Sequence, residues 1–188
     1  MTKVAGVQRV ILTYEDYQHF PNDGKRYEIL EGELFVSPAP KTKHQIVSRN
    51  LLVMLHQHVS KHKLGEVLAA PTDVILSRTN VVQPDLLFLS SERLPLLTEK
   101  NVQGAPDLIV EILSEFTEEQ DRTLKMQIYA RHGVKEYWLI DPERETLEVY
   151  ELDQQSRAFR HRATYQREES FQPRLLPKLA LKLRELWE

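Results

Sequence analysis

The chain has 188 residues, a formal net charge of −3, 41% hydrophobic and 28% charged residues, and no cysteine. This length suits one domain with a proper core, read here as spanning 1–188, and the composition excludes a disordered or fibrous chain. The missing cysteines exclude disulfides and thiolate chemistry, and the acidic balance offers no global attraction to a polyanion.

The N-terminal stretch MTKVAGVQRVILTYEDY has no continuous apolar core of the signal-peptide kind, and no apolar run reaches the length of a membrane span. A cytoplasmic location and no membrane partner are expected. Thr13 followed by Glu15 and Asp16 reads as the cap and acidic first turn of a short helix ending before Pro21. YEILEGELFVS then reads as a hairpin turning at Glu31-Gly32. From His44 to about Lys63, Val47, Leu51, Met54, Leu55 and Val59 fall at helical spacing and predict an amphipathic helix. Beyond Gly65 strands are expected at roughly 66–76, 81–89 and 107–113, with a long loop from Ser90 to Pro106. A second helix is expected from Thr117 to His132, stopping at Gly133. EYWLI gives a further strand, with others near 146–152 and 160–165, and PKLALKLRELWE is expected to close the chain as an amphipathic helix. The order is α-β-β-β-α-β, preceded by the hairpin.

Two apolar strands each carry an acid, VVQPDLLFLS at 81–90 with Asp85 and APDLIVEILS at 105–114 with Glu111. A carboxylate inside such a run is costly unless something pairs with it, and a divalent cation is one partner. On adjacent segments of one sheet the two acids can converge on a hard ion such as Mg²⁺, which prefers oxygen ligands and keeps several waters. Lys125 follows one helix later, at the edge of an inward face set by Leu124 and Ile128, where its charge suits a phosphate under attack. Glu28, Glu31 and His44 are candidates for outer ligands or a base. Asp107 repeats the Pro-Asp pair but sits at a strand start, which favours a structural role. Asp121 suits a helix dipole. His58 and His62 share a helix face without a third ligand, a weak zinc signal. Arg157, Arg160, His161, Arg162 and Arg167 form a basic run, a pattern that is usually a solvated face.

The Pro84-Asp85 pair, the strand bearing Glu111 and the order of elements resemble the PD-(D/E)XK nuclease superfamily. Within it, RYEILEGEL, His44, VVQPDLLFLS, GAPDLIVEILS, the D-R-x-x-K at 121–125 and YARHGVKEYWLIDP resemble the Uma family of restriction endonucleases, formerly domain of unknown function 820. The resemblance covers roughly residues 10–155. It implies an α/β restriction-endonuclease-like fold with a mixed central sheet flanked by helices. It also implies a Mg²⁺-dependent nuclease, with Mn²⁺ as a substitute, acting on DNA as a homodimer. The metal ligands it implies are Asp85, Glu111 and the carbonyl of Ile112. The superfamily lysine two residues after the acid is replaced by Leu113, with Lys125 as the migrated substitute, and the family's Ser-Pro-Ser-Thr turn reads SEFT at 114–117. The catalytic set expected is thus Asp85, Glu111, Lys125, His44 and Glu31. The alternatives are an inactive nuclease-fold module for nucleic-acid or protein binding, and a hydrolase of a small phosphate ester.

Overall fold

The computed structural model describes residues 10–188. A short helix α1 (Tyr14–Tyr17), closed by Asp16 against the Thr13 amide and hydroxyl, leads into the predicted hairpin of β1 (Arg26–Leu30) and β2 (Glu33–Ser37). Glu31 and Gly32 both take positive φ, 52° and 79°, as a two-residue turn of this hand requires. Helix α2 (Thr42–His62) buries His44, Val47, Leu51, Leu55 and Val59 along one stripe.

Strands β3 (Gly65–Ala69), β4 (Val74–Ser77), β5 (Asn80–Val82), β6 (Leu86–Ser90), β7 (Val102–Gln103) and β8 (Leu108–Ile112) follow. The expected single strand at 66–76 is two strands in different sheets, because Pro71 lacks the N–H a continuing ladder needs. The second predicted helix is a run of α3 (Glu118–Gln120), a π-helical turn (Asp121–Lys125) and α4 (Met126–His132), stopped by Gly133 at φ 86°. β9 (Glu136–Asp141), β10 (Thr146–Asp153) and β11 (Ala158–Gln166) complete the larger sheet.

That sheet has the order β11-β10-β9-β8-β6-β3 and is mixed, since β8 and β9 run parallel and the other pairs antiparallel. A second sheet, β2-β1-β5-β4-β7, carries the hairpin. Alternate residues of the six-stranded sheet feed two cores. Val110, Ile112, Trp138 and Ile140 pack with the apolar stripe of α2, while Leu87, Ile109, Leu113 and Leu139 pack with Ile128, Tyr129 and Val82. The sheet is therefore covered on both faces, which is why its central strands read as unbroken apolar runs.

The C-terminus is not the expected helix. β12 (Ser170–Phe171) pairs with β13 (Leu181–Lys182), and a single 3₁₀ turn covers Leu183–Leu186. Leu179, Leu181 and Leu183 are buried while Ala180, Lys182 and Arg184 are exposed, a period of two that belongs to extended chain. No helix among the described residues is long and apolar enough to cross a membrane.

At the start of β3, Gly65 has φ 146°, and a Cβ built there runs into the carbonyl oxygen of Leu89 on β6. Gly65→Ala must therefore push the edge strand off its neighbour. Its expected cost is about 3 kcal/mol, read as a melting temperature lowered by roughly 10 °C.

Candidate active site

The antiparallel register pairs Leu86 with Val110 and Leu87 with Ile109, so one further step along the strands sets Asp85 opposite Glu111. The Asp85 amide lies 3.3 Å from Glu111 Oε2, and Asp85 Oδ2 accepts the Ile112 amide at 2.8 Å. Both acids are buried, Asp85 at 3% and Glu111 at 1% exposure.

The facing helical run delivers the lysine. The π-helical turn brings Asp121 and Lys125, four residues apart, to the same inward side. Lys125 is 1% exposed, and its ammonium lies 3.0 Å from Glu28 Oε2, 3.2 Å from Glu111 Oε1 and 3.3 Å from Asp121 Oδ1. Tyr129, one turn on, donates its hydroxyl to Glu111 Oε1 at 2.7 Å.

The hairpin supplies the third wall. Arg26 and Glu28 share one face of β1: Glu28 accepts the Gln83 amide at 2.9 Å besides meeting Lys125, and Arg26 donates from both Nη1 and Nη2 to Asp85 Oδ1 at 2.9 Å. From the first turn of α2, His44 Nε2 approaches Asp85 Oδ2 to 3.0 Å.

His44, Asp85, Glu111, Ile112, Asp121 and Lys125 all line one cleft, whose outer walls are apolar and include Pro38, Pro40 and Phe116. Phe116, from the altered SEFT turn, stands 68% exposed at this mouth. Glu31 is elsewhere. Its backbone forms the tight hairpin turn, and its carboxylate meets Arg131 at 3.1 Å and Asn80 at 3.1 Å. Asp107 is also remote from the cleft, binding the Ser90 amide at 2.8 Å and Lys135 at 2.6 Å, in keeping with a structural role. Three arginines of the basic run pair with acids of β10 and the turn before it: Arg160 with Asp153, Arg162 with Glu151 at 3.7 Å and Arg167 with Glu145 at 2.7 Å.

Sequence reasoning missed Arg26, Tyr129 and the inward turn of Asp121. The i, i+2 spacing of Arg26 and Glu28 and the i, i+4 spacing of Asp121 and Lys125 are the signals that find them once Glu28 and Lys125 are placed.

The electrostatics divide the two motif acids. Burial opposes ionisation of Asp85, but the hydrogen bond from His44, the Arg26 charge and the Ile112 amide outweigh it and lower its pKa to about 2. Burial raises Glu111 to about 8, Lys125 pulling down against the push of Asp121, Asp85 and Glu28. Burial alone would lower Lys125, yet Glu111, Glu28 and Asp121 hold it well above its ordinary value.

This donor set fits a hard divalent cation. Four buried carboxylates, Glu28, Asp85, Glu111 and Asp121, face two permanent cations, Arg26 and Lys125; Glu111 relieves part of that surplus by holding its proton, and a divalent cation would relieve it in the proton's place. His44 Nδ1 is buried without a hydrogen-bond partner, and Asp121 Oδ1 is buried with only its ion pair to Lys125. Among the described residues no three side chains of ligating type converge on one point. Mg²⁺ needs no such triad, because it takes one or two carboxylates and keeps water for the rest.

Glu111 gives a pH signature. Between its ordinary 4.5 and about 8 the folded chain holds a proton that the unfolded chain has released, so this group's stability contribution is lost as pH rises through that window. Asp85 acts oppositely, contributing stability above its ordinary 3.8 that is lost as pH falls towards about 2. Thermal melts in buffer with a chelator are expected to show a smaller fall in melting temperature between about 4.5 and 8 for Glu111→Gln than for wild type. Equal slopes would assign the wild-type slope to other groups.

A family model described as "Putative restriction endonuclease", Uma2, matches residues 14–184. Among solved structures, a crystal structure from Anabaena variabilis ATCC 29413, described as a putative nuclease of DUF820, superposes with a TM-score of 0.76. At 20% identity the alignment covers 94% of this chain and 97% of that one, so the likeness is one of fold. Comparison with curated proteins finds no match. With the motif strings of the hairpin, β6, β8 and the helical run all inside the matched span, the chain belongs to the Uma2 family.

Proposed function

We propose that the protein is a Mg²⁺-dependent endonuclease that hydrolyses phosphodiester bonds in DNA. The observation that carries this reading is the meeting of the buried acids Asp85 and Glu111 at facing positions of adjacent strands, both lining one cleft with Asp121 and Lys125. Asp85, Glu111 and the Ile112 carbonyl would hold the ion. When bound, it supplies a water of lowered pKa and a positive charge for the phosphoryl oxygens.

The remaining work falls to the chain. His44 would serve as the base in the tautomer that gives Nε2–H to Asp85, which leaves Nδ1, buried without a protein partner, as the proton acceptor. Lys125 is a positioning residue: it fixes Glu111 from the helix side and supplies from there the charge that position 113, a leucine, does not. Tyr129 fixes the rotation of the same carboxylate. The acids lie buried beneath the cleft mouth, where charges act more strongly than in open solvent. Glu31, turned to the surface, has no part in this scheme. Pairing of exposed strand edges into a homodimer would offer two such sites to the two strands of a duplex, and a cytoplasmic setting suits a DNA substrate.

The test is calorimetric titration of Mn²⁺ and Mg²⁺ into wild type, Asp85→Asn and Glu111→Gln, paired with nicking of supercoiled plasmid. Metal binding and nicking are expected in wild type and both should vanish in the two variants. A folded wild-type protein that binds neither ion would sink the mechanism and favour a nuclease-fold module without chemistry.

A further inference from the structure

The two oxygens of Asp85 are held in unequal ways. Oδ2 is fixed by the Ile112 amide at 2.8 Å and by His44 at 3.0 Å, donors that belong to a central strand and to the base of a long helix. Oδ1 is covered by Arg26, whose Nη1 and Nη2 both lie 2.9 Å away. The side chain of Arg26 is 22% exposed against 4% for Asp85 and 2% for Lys125, so among these charges the guanidinium has a path to solvent. Its side-chain hydrogen bonds among the described residues go to Asp85 alone.

A cation that takes Asp85 Oδ1 as a ligand has to share or displace this guanidinium. A buried carboxylate oxygen left without a partner is costly, so Oδ1 is held either by the guanidinium or by an incoming cation. We infer that Arg26 is an exchangeable counter-ion: it covers Asp85 Oδ1 until a divalent cation arrives, and the ion must displace it to bind. Metal affinity is then set by a competition inside the protein, and the hairpin that carries Arg26 governs how readily the site loads. Asp85, Glu111 and Glu28 hold the guanidinium charged against its partial burial, so it competes as a full cation at every working pH. This inference rests on the metal site proposed above and adds a residue to it.

The test compares Mn²⁺ binding by calorimetry in wild type and Arg26→Gln, with melting curves establishing that both are folded. If the guanidinium covers Oδ1 in about nine molecules of ten, removing it tightens binding about tenfold. Because Arg26→Gln leaves Asp85 short of a partner, a second measurement uses wild type alone. The ¹⁵N–¹H resonance of the Arg26 side chain is followed as diamagnetic Mg²⁺ is added, and it should shift and exchange faster with water as calorimetric binding saturates. Equal or weaker Mn²⁺ affinity in folded Arg26→Gln overturns the inference, as does an Arg26 resonance that stays still while Mg²⁺ binds. Those results leave the metal site standing. Absence of metal binding in both proteins removes the site itself, and this inference with it.

Discussion

The structure turns on a buried lysine. An ammonium held away from water is tolerable only where opposite charge surrounds it closely, and Lys125 meets that condition with three carboxylates within 3.3 Å. The three acids come from different places: Glu28 from the hairpin, Glu111 from a central strand, Asp121 from the lysine's own helical run. Desolvation thus ties the second sheet, the first sheet and a helix to one point. None of the three elements can move alone without leaving a charge unpaired in a low-dielectric interior.

Arg26 extends the same constraint across to Asp85, so β1 makes two ion pairs of opposite sense two residues apart, Arg26 with Asp85 and Glu28 with Lys125. A one-residue slip of β1 would turn both side chains away and put Tyr27 and Ile29 against the acids. The hairpin register is therefore fixed from the site as much as from its own turn. The residual negative charge that this network leaves is concentrated at one end of β6 and β8, where the cleft opens.

Much of this was legible in the sequence because carboxylates in apolar runs are conspicuous. Asp85 and Glu111 stand out against Leu86, Leu87, Val110 and Ile112, and His44 continues the helical stripe of Val47, Leu51, Leu55 and Val59 one turn towards the N-terminus. Arg26 and Asp121 were hidden because a charged residue in a hairpin or a helix's first turn is ordinarily solvated, and only the long-range pairing buries them. Glu31 misled for the converse reason: it neighbours Glu28 in a motif string, but the turn that joins β1 to β2 points its side chain away. The closing segment failed on periodicity. In PKLALKLREL the leucines at 179, 181, 183 and 186 fit a helix face in part, and the alternation at 179–183 prevailed because β13 pairs with β12.

Leu113 is the clearest departure from the motif, and the geometry accounts for it. Positions 111 and 113 point to the same face of the sheet, where Leu113 packs in the cluster holding Ile128 and Tyr129. Leu113 also lines the cleft, so its side chain is shared between that apolar packing and the site. The π-helical turn solves the same electrostatic problem from the opposite wall, lowering an ammonium onto Glu111 at 3.2 Å while leaving the strand's own packing apolar. For phosphoryl chemistry the position of the charge matters and the chain position that supplies it does not. On the proposed reading, Lys125 supplies the charge from the helix side, and its burial among three acids suits it to organising the site from behind.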